Sequence, residues 1–333
     1  MSKSVSKSKS KSRSASGPME LGIILPNSGP LATADAMYRI AEHAEALGFD
    51  ALWTADHLVL PIESSTFYPY MPGMKIRPDA RHPFIDPLIA LAGIAARTSR
   101  IRLGVSVYLA ALRHPIVAAK LVASLDQLSG GRVLLGVGAG WVPEEYETLG
   151  IAFSERGKLL DEHLEAMRAL WTQDHPHYEG AHYRFDNIGF EPKPVRAGVP
   201  IWIGGNSRAA RRRAARLGDG WHVIDVPIPE LRVAIAELDE LCREYDRRPE
   251  EVAISMSAQI VLTDDFVPPK ERVAPLTGPP EELIADLRTL RELGVGHVAL
   301  WPLAREADLD AYLEQMDRIA AEIVAPLRAD RAG

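Results

Sequence analysis

Short apolar segments alternate with amphipathic segments along most of the chain, from Met19 to about Leu327. The first apolar segment, LGIILP at 21–26, lacks the alternation of a half-buried strand, which indicates a strand covered on both faces. The next segment, ATADAMYRIAEHAEALG, repeats apolar residues at helical spacing and ends at Gly48, where we expect a left-handed helix cap. The pattern therefore predicts a strand followed by a helix.

This strand–helix unit recurs and gives eight predicted strands, which begin near residues 20, 50, 101, 132, 200, 220, 252 and 297. Eight covered strands that alternate with helices predict an α/β protein with a (β/α)8 TIM barrel. An open doubly wound sheet is the alternative, but the near-equal units run to the end of the chain without a linker. We therefore predict a single barrel domain over 18–333.

Three connections are too long to be simple loops. Residues 60–85 follow the second predicted strand, and residues 263–278 follow the seventh. Insertions after strands lie at the C-terminal end of a barrel, where active sites are built. Residues 174–198 follow the fourth predicted helix and contain two short segments with aromatic residues, which predict a hairpin that starts from the opposite end of the barrel.

Composition narrows the functional classes. The chain has 333 residues, 47% of them hydrophobic, and its single cysteine, Cys242, excludes an intramolecular disulfide framework and favours a cytoplasmic setting. No apolar run approaches the roughly 20 residues of a membrane span. Residues 1–17 form a Ser/Lys-rich tail without the apolar core of a secretory signal, and we expect this tail to be disordered.

The charge distribution argues against a nucleic-acid partner. The formal net charge is −7, and residues 1–16 carry four lysines, one arginine and no acid. The remaining chain therefore carries −12, and so acidic a body would repel a phosphate backbone.

Polar residues follow several predicted strands and would converge on one pocket in a barrel. Asn27 follows the first strand, Asp56 and His57 follow the second, and Ser106-Val107 lies in the third. A lone histidine is more often structural, but the position of His57 favours proton transfer, for which imidazole is suited near neutral pH. Asp56 would orient His57 or accept a hydrogen bond from a ligand amide.

The glycine-rich segment GVGAGW at 136–141 is not a dinucleotide-binding fingerprint, because Trp141 occupies the place of its third glycine. We interpret Gly138, Ala139 and Gly140 as a strand end at which a flat ligand can approach the backbone closely. A tight turn before the next helix is the alternative.

A second glycine pair ends the predicted fifth strand, in IWIGGNSRAARRRAARLG at 201–218. Gly204, Gly205 and Asn206 precede a helix whose first N–H groups would bind a phosphate, as the late loops of barrels commonly do. An ordinary capped helix with a solvated arginine face is the alternative.

The histidines predict no metal site. His175 and His177 have a ligand-like spacing but follow a helix, whereas barrel metal sites take ligands from several strand ends. His222 is a second candidate for the pocket, yet no cluster of carboxylates accompanies it. No nucleophilic serine motif of the G-x-S-x-G type occurs.

Taken together, these stretches resemble the luciferase-like monooxygenase superfamily of flavin and deazaflavin barrels. Within that superfamily the chain is most similar to the actinobacterial oxidoreductases that use coenzyme F420. The resemblance rests on 22–33, 49–61, 98–171 and 190–222, and the last third of the chain matches more loosely.

The resemblance implies a hydride transfer between coenzyme F420 and a small organic substrate. It makes His57 the catalytic residue for proton transfer and implies a non-proline cis peptide between Ser106 and Val107. It also implies the cofactor-binding residues Asn27, Asp56, His57, Ser106, Val107, Gly138, Ala139, Gly140, Glu145, Gly204, Gly205 and Asn206.

The substrate is expected to be apolar or aromatic. Trp141 stands where the sugar-phosphate-specific deazaflavin dehydrogenases of the family have an acidic residue. We therefore expect Trp141 and Trp301 to bind the substrate, with ordinary loop packing as the alternative.

Two other functions stay open, and both use the same barrel. One is an FMN-dependent monooxygenase that uses O2 and a separate flavin reductase, and the other is a ligand-binding barrel without turnover. The resemblance further implies a homodimer.

Overall fold

The computed structural model describes residues 17–64, 66–70, 80–265, 276–302 and 308–329. Apart from Gly17, the predicted tail lies outside the described residues, as do positions 266–275 of the predicted insertion at 263–278. The strands are β1 (Glu20–Ile24), β2 (Ala51–Thr54), β3 (Arg102–Tyr108), β4 (Val133–Val137), β5 (Tyr178–Glu179), β6 (Arg184–Phe185), β7 (Ile201–Gly204), β8 (Gly220–Ile224), β9 (Ala253–Leu262), β10 (Leu276–Gly278) and β11 (Val295–Pro302).

The helices are α1 (Ala34–Leu47), α2 (Pro87–Ala95), α3 (Pro115–Ser129), α4 (Pro143–Thr148), α5 (Arg156–Thr172), α6 (Arg208–Leu217), α7 (Ile228–Glu244), α8 (Pro280–Glu292), α9 (Leu309–Ile319) and α10 (Ala325–Ala329). A π-helical segment, Ala320–Val324, joins α9 to α10.

Both ends of α1 are determined by capping residues. The Thr33 hydroxyl caps α1 by accepting the N–H of Ala36, and Gly48 ends α1 with a φ of 85°, which confirms the predicted left-handed cap.

Eight parallel strands close into a barrel in the order β1, β2, β3, β4, β7, β8, β9 and β11, and β11 pairs again with β1. Each begins within two residues of its predicted position. The (β/α)8 barrel is therefore confirmed. In this order β2 and β8 are second and sixth, so they lie on opposite sides of the barrel.

Two tryptophans fill the barrel interior where glycines face them. The Trp53 and Trp202 ring centroids lie 5.7 Å apart. A Cβ at Gly22 would lie 2.8 Å from Trp53 Nε1, one at Gly104 would contact the same indole still more closely, and one at Gly220 would lie 2.6 Å from Trp202 Cδ1. The interior is thus a packed core in which large rings replace the branched aliphatic residues common in such barrels.

The hairpin predicted after the fourth helix is also present. It consists of β5 and β6, which pair antiparallel after α5. The hairpin starts from the C-terminal end of α5, as expected, and then turns back along that helix. Tyr183 contacts the ring of His163 on α5, with 4.9 Å between the centroids. The connection after β9 contributes the short strand β10, which pairs with β9.

Candidate active site

The C-terminal ends of the eight barrel strands, together with the insertion after β2, form a region that we call the barrel mouth. Its principal residues are Asn27, Asp56, His57, Tyr68, Tyr70, Ser106, Val107, Gly138, Ala139, Gly140, Trp141, Gly204, Gly205, Asn206, Asp225, Gln259 and Trp301.

His57 and Glu145 form a hydrogen-bonded pair at the barrel mouth. The Nδ1 of His57 lies 2.8 Å from Oε2 of Glu145, whose side chain is fully buried. Oε1 of the same carboxylate accepts the N–H groups of Leu58, at 2.6 Å, and Val59, at 3.3 Å. A carboxylate that only accepts requires the proton on Nδ1, so in the neutral imidazole Nε2 carries the lone pair.

The other ring nitrogen of His57 is available for chemistry. Within the described residues Nε2 has no hydrogen-bond partner, and the side chain is 11% exposed. The ring is held edge-on to Phe84 and Trp141, at centroid distances of 5.7 and 5.9 Å. Glu145 was expected to bind a cofactor, but the structure places it behind His57, where it fixes the imidazole.

Asp56 has a different role from the one expected. Its carboxylate accepts two hydrogen bonds from Arg113, at 2.7 and 2.8 Å, and one from the N–H of Leu109, at 2.9 Å. Arg113 also donates to Asp86, at 3.0 Å. Burial lowers the pKa of Arg113, but the hydrogen bonds and charge of Asp56 outweigh that effect and raise it. Asp56 therefore anchors the loop after β3 instead of orienting His57.

Two asparagines at the barrel mouth bind the backbone of the next strand. Asn27 accepts the N–H of Ala55 at 2.9 Å and donates to the carbonyl of the same residue at 2.8 Å. Asn206 makes the same pair of bonds with Ile224, at 2.9 and 2.6 Å. Each side-chain amide thus adds a pair of hydrogen bonds beyond the last backbone pair of its two strands. These asparagines therefore hold the ends of neighbouring strands together.

The glycines of the barrel mouth make room for protein side chains. A Cβ at Gly138 would lie 2.5 Å from a methyl group of Val107, and one at Gly204 would contact the other methyl. At Gly138 the absence of a side chain thus makes room for Val107, and the approach of a flat ligand to Gly138, Ala139 and Gly140 stays a prediction. The Ser106–Val107 peptide is cis, as the resemblance implies.

Gly140 and Gly205 adopt left-handed backbone conformations, with φ of 71° and 114°. Tyr146 fills the space beside Gly140, where a Cβ would lie 2.8 Å from its ring, and the tyrosine hydroxyl donates to the carbonyl of Ala139 at 2.7 Å. A Cβ at Gly205 would lie 3.4 Å from the hydroxyl of Tyr70, so the insertion after β2 reaches the end of β7.

A histidine inside the barrel forms a hydrogen bond with Ser106. His222 is fully buried, and its Nε2 lies 2.8 Å from the half-buried Ser106 hydroxyl, while its Nδ1 lies 2.9 Å from Ser255. Trp53 stacks on the imidazole at 4.9 Å. Burial, with a smaller contribution from His297, lowers the pKa of His222 to about 3. The ring is therefore neutral and relays hydrogen bonding between the two serines.

Aromatic residues cover one side of the barrel mouth. Trp141 meets Tyr68 edge-on at 5.2 Å as well as His57 at 5.9 Å, and Tyr68 meets Tyr70 at 5.4 Å. Burial raises the pKa of both tyrosines, so their hydroxyls stay protonated. Trp301 is the penultimate residue of β11 and is 37% exposed.

Sequence reasoning missed several residues of this region: Tyr68, Tyr70, Arg113, Ser255 and Asp225. Of these, Asp225 carried a usable signal, because it directly follows a predicted strand. The other four are identified only by contacts with distant parts of the chain.

Candidate metal ligands do not assemble in the described part of the chain, where no group of three or more His, Cys, Asp or Glu side chains could hold an ion. Across the same described ranges, none of the helices is long and apolar enough to cross a membrane.

Comparison with known sequences identifies relatives over much of the chain. An uncharacterized protein of Mycobacterium tuberculosis is 39% identical over 183 residues, which are 55% of this chain and 62% of that protein. The chain thus matches less than two thirds of that relative's length. An FMNH2-dependent dimethylsulfone monooxygenase of Pseudomonas fluorescens is 31% identical over 175 residues, 51% of this chain and 46% of that enzyme.

The fold is shared with solved enzymes. The structure of an F420-dependent secondary alcohol dehydrogenase in complex with an F420–acetone adduct superposes with a TM-score of 0.70 at 19% identity, and covers 90% of this chain and 98% of that one. The similar proteins therefore include enzymes named for either cofactor. The profile of the luciferase-like monooxygenases matches residues 19–267, three quarters of the chain. The protein therefore belongs to the luciferase-like monooxygenase family.

Proposed function

We propose that the protein is a coenzyme F420-dependent oxidoreductase that transfers hydride between the deazaflavin and a small apolar or aromatic substrate. The observation that carries this proposal is the His57–Glu145 pair, which leaves Nε2 of His57 unpartnered within the described residues, beside Trp141. Hydride transfer to or from a carbonyl or an activated double bond also moves a proton. An imidazole with one free nitrogen and a fixed tautomer suits that task.

The residues of the barrel mouth fit such a cofactor. Val107, seated against Gly138 and Gly204, gives a tricyclic ring an apolar support beside the Ser106 hydroxyl. The first turn of α6, which begins after the Ser207 cap, offers N–H groups to a phosphate. Arg208 would add little charge there, because its Nε donates to Glu237 at 2.7 Å. When bound, the deazaflavin supplies the hydride chemistry.

The chain's own residues then have separate tasks. His57 accepts or returns the substrate proton at Nε2, and Glu145 keeps Nδ1 protonated throughout. Tyr68 and Trp141 exclude water from the space beside His57 and provide the apolar surface on which a substrate packs. Asp56 and Arg113 hold the strand end that carries His57.

An FMN-dependent monooxygenase with a separate flavin reductase is the second candidate. It is favoured by the 31% identity to the FMNH2-dependent dimethylsulfone monooxygenase, and it would use the same barrel mouth. For either function we further propose a cytoplasmic homodimer, on the family resemblance and the single buried Cys242.

Equilibrium dialysis of the full-length protein with coenzyme F420 and with FMN tests the proposal. We expect retention of F420, and tight FMN binding without F420 binding would refute it. A His57→Ala variant should keep cofactor binding and lose turnover of ketone and enone substrates. His177→Ala is the matched control, because His177 lies exposed on the hairpin, and it should keep both. Cofactor binding with no turnover by the wild type would favour a ligand-binding barrel.

A further inference from the structure

His222 connects two serines across the inside of the barrel. It lies on β8 opposite Ser255 of β9, and its Nδ1 is 2.9 Å from the hydroxyl oxygen of that serine. Its Nε2 is 2.8 Å from the hydroxyl oxygen of Ser106 on β3, a strand that β4 and β7 separate from β8. Trp53 stacks on the imidazole at 4.9 Å and restricts its plane. The imidazole therefore links the far wall of the barrel to the end of β3 at the barrel mouth.

The hydroxyl of Ser255 determines which nitrogen of His222 carries the proton. Ser255 is fully buried, and within the described residues its hydroxyl forms a hydrogen bond with His222 alone. A buried O–H without an acceptor is costly, whereas an unused lone pair on a buried oxygen is tolerated more easily. Ser255 therefore donates to Nδ1, and the single proton of the neutral imidazole is on Nε2.

This tautomer makes the Ser106 hydroxyl a donor at the barrel mouth. Because Nε2–H of His222 donates to the Ser106 oxygen, the Ser106 hydrogen is directed away from the imidazole. In the part of the chain that the structure describes, no group accepts this hydrogen, and Ser106 is only half-buried. The opposite tautomer would turn the hydrogen into the barrel and leave only lone pairs at the mouth. The chain thus presents an oriented O–H beside Val107.

We propose that His222 is a positioning residue for the cofactor, because it directs the Ser106 O–H at a carbonyl oxygen or an unprotonated nitrogen of the cofactor ring. This inference rests on the proposed function, in which Val107, the neighbour of Ser106, supports that ring. The flavin and deazaflavin rings share a pyrimidinedione edge that carries such acceptors, so the inference applies to either cofactor. A donor that is oriented before the ring binds needs no reorganisation when the ring arrives.

Nitrogen-15 NMR of the full-length protein without cofactor tests the direction of these hydrogen bonds. We expect the proton of His222 on Nε2, opposite to the Nδ1 proton expected of His57 in the same spectrum. The signals of His222 are those that Ser106→Ala shifts and that Ser154→Ala, a change at an exposed serine, does not. A His222 proton on Nδ1 overturns the proposal, because Ser106 would then donate into the barrel.

Equilibrium dialysis with coenzyme F420 tests the link to the cofactor. Ser106→Ala should weaken F420 binding about tenfold, the effect of one hydrogen bond, and Ser154→Ala should leave it unchanged. His222→Leu removes the group that orients the Ser106 hydroxyl. It should weaken binding about threefold in the wild-type chain and have no effect once position 106 is alanine.

Two results of the dialysis contradict the proposal. Equal losses from His222→Leu in both chains would show that His222 only fills space, and unchanged binding by Ser106→Ala would show that Ser106 does not bind the ring. If His222→Leu does not fold, the Ser106→Ala comparison and the NMR experiment still decide.

These outcomes are distinguishable from a failure of the proposed function. The NMR experiment contains no cofactor and does not depend on which ring binds. If the wild type retains FMN but not F420, the F420 proposal fails, and the same variants are compared with FMN. If the wild type and Ser106→Ala retain F420 equally, the oxidoreductase proposal stands and only the role of His222 is overturned.

Discussion

Replacing Glu145 with glutamine should reverse the protonation of His57. The Glu145 Oε1 accepts two backbone N–H groups, from Leu58 at 2.6 Å and Val59 at 3.3 Å. A glutamine must keep its oxygen there, because its NH2 group would otherwise face two donors. The NH2 group is then directed at Nδ1 of His57, which has to accept. The imidazole proton moves to Nε2, the nitrogen that faces the substrate in our proposal.

The size of the effect follows from this reversal. A positioned general base contributes about 10²–10⁴-fold to a rate, and an imidazole fixed in the wrong tautomer cannot accept a proton at Nε2. We expect kcat to fall about a thousandfold, or about 4 kcal/mol in activation free energy. Cofactor binding should hold, because Glu145 is fully buried behind His57.

Two measurements check the Glu145→Gln prediction. Nitrogen-15 NMR of the His57 ring should detect a proton on Nδ1 in the wild type and on Nε2 in the variant, and steady-state turnover should show the rate loss. Glu147→Gln, an exposed change on the same helix, is the control and should alter neither. A variant that keeps the wild-type tautomer, or one that reverses it without slowing turnover, would show that this reasoning is wrong.

Three further predictions concern stability, each measured by urea unfolding. Gly138→Ala should lower the free energy of unfolding by about 1–3 kcal/mol, because the new methyl group would collide with Val107. Adding Val107→Ala to the same chain should recover most of that loss. If the two losses instead add, the predicted contact between positions 138 and 107 is wrong. His222 has a pKa of about 3 when folded and an ordinary pKa of 6.5 when unfolded, so its unfolded form binds a proton that the folded form rejects. Wild-type stability should therefore fall by about 1.4 kcal/mol per pH unit below about pH 6, and His222→Gln should remove that part of the slope. Asp56→Asn should cost about 3 kcal/mol, because it leaves the buried Arg113 guanidinium without its main partner, and a loss below about 1 kcal/mol would argue against the ion pair.

The barrel could be predicted because its signals are local. Apolar runs, helical spacing and stop residues such as Gly48 act within a few positions, and each strand of a parallel barrel carries its own pattern. His57 could be singled out for the same reason, since the end of a strand is visible in the sequence. The hairpin was also local, because β5 and β6 are only a few residues apart.

The partners of the site residues could not be predicted, because they lie far apart in the chain. Asp56 is 57 residues from Arg113, and Glu145 is 88 residues from His57. The sequence shows neither pair, so Asp56 was expected either to orient His57 or to accept a hydrogen bond from a ligand amide. The neighbour of Gly138 could not be predicted for a related reason. A glycine in the sequence indicates that a side chain would not fit at that position. It does not indicate whether a ligand or a protein side chain such as Val107 occupies the space.

The tryptophans of the barrel interior restrict the order in which substitutions at these core positions can occur during evolution. Trp53 fills the space that a Cβ at Gly104 would need, so an alanine at position 104 can appear only after the indole has been replaced by something smaller. That first step opens a cavity at a cost of about 3 kcal/mol, a large share of the roughly 5–15 kcal/mol that holds a domain together. The same holds for Trp202 and Gly220. Related chains should therefore retain each ring with its glycine or have exchanged both, and intermediates with one change should be rare.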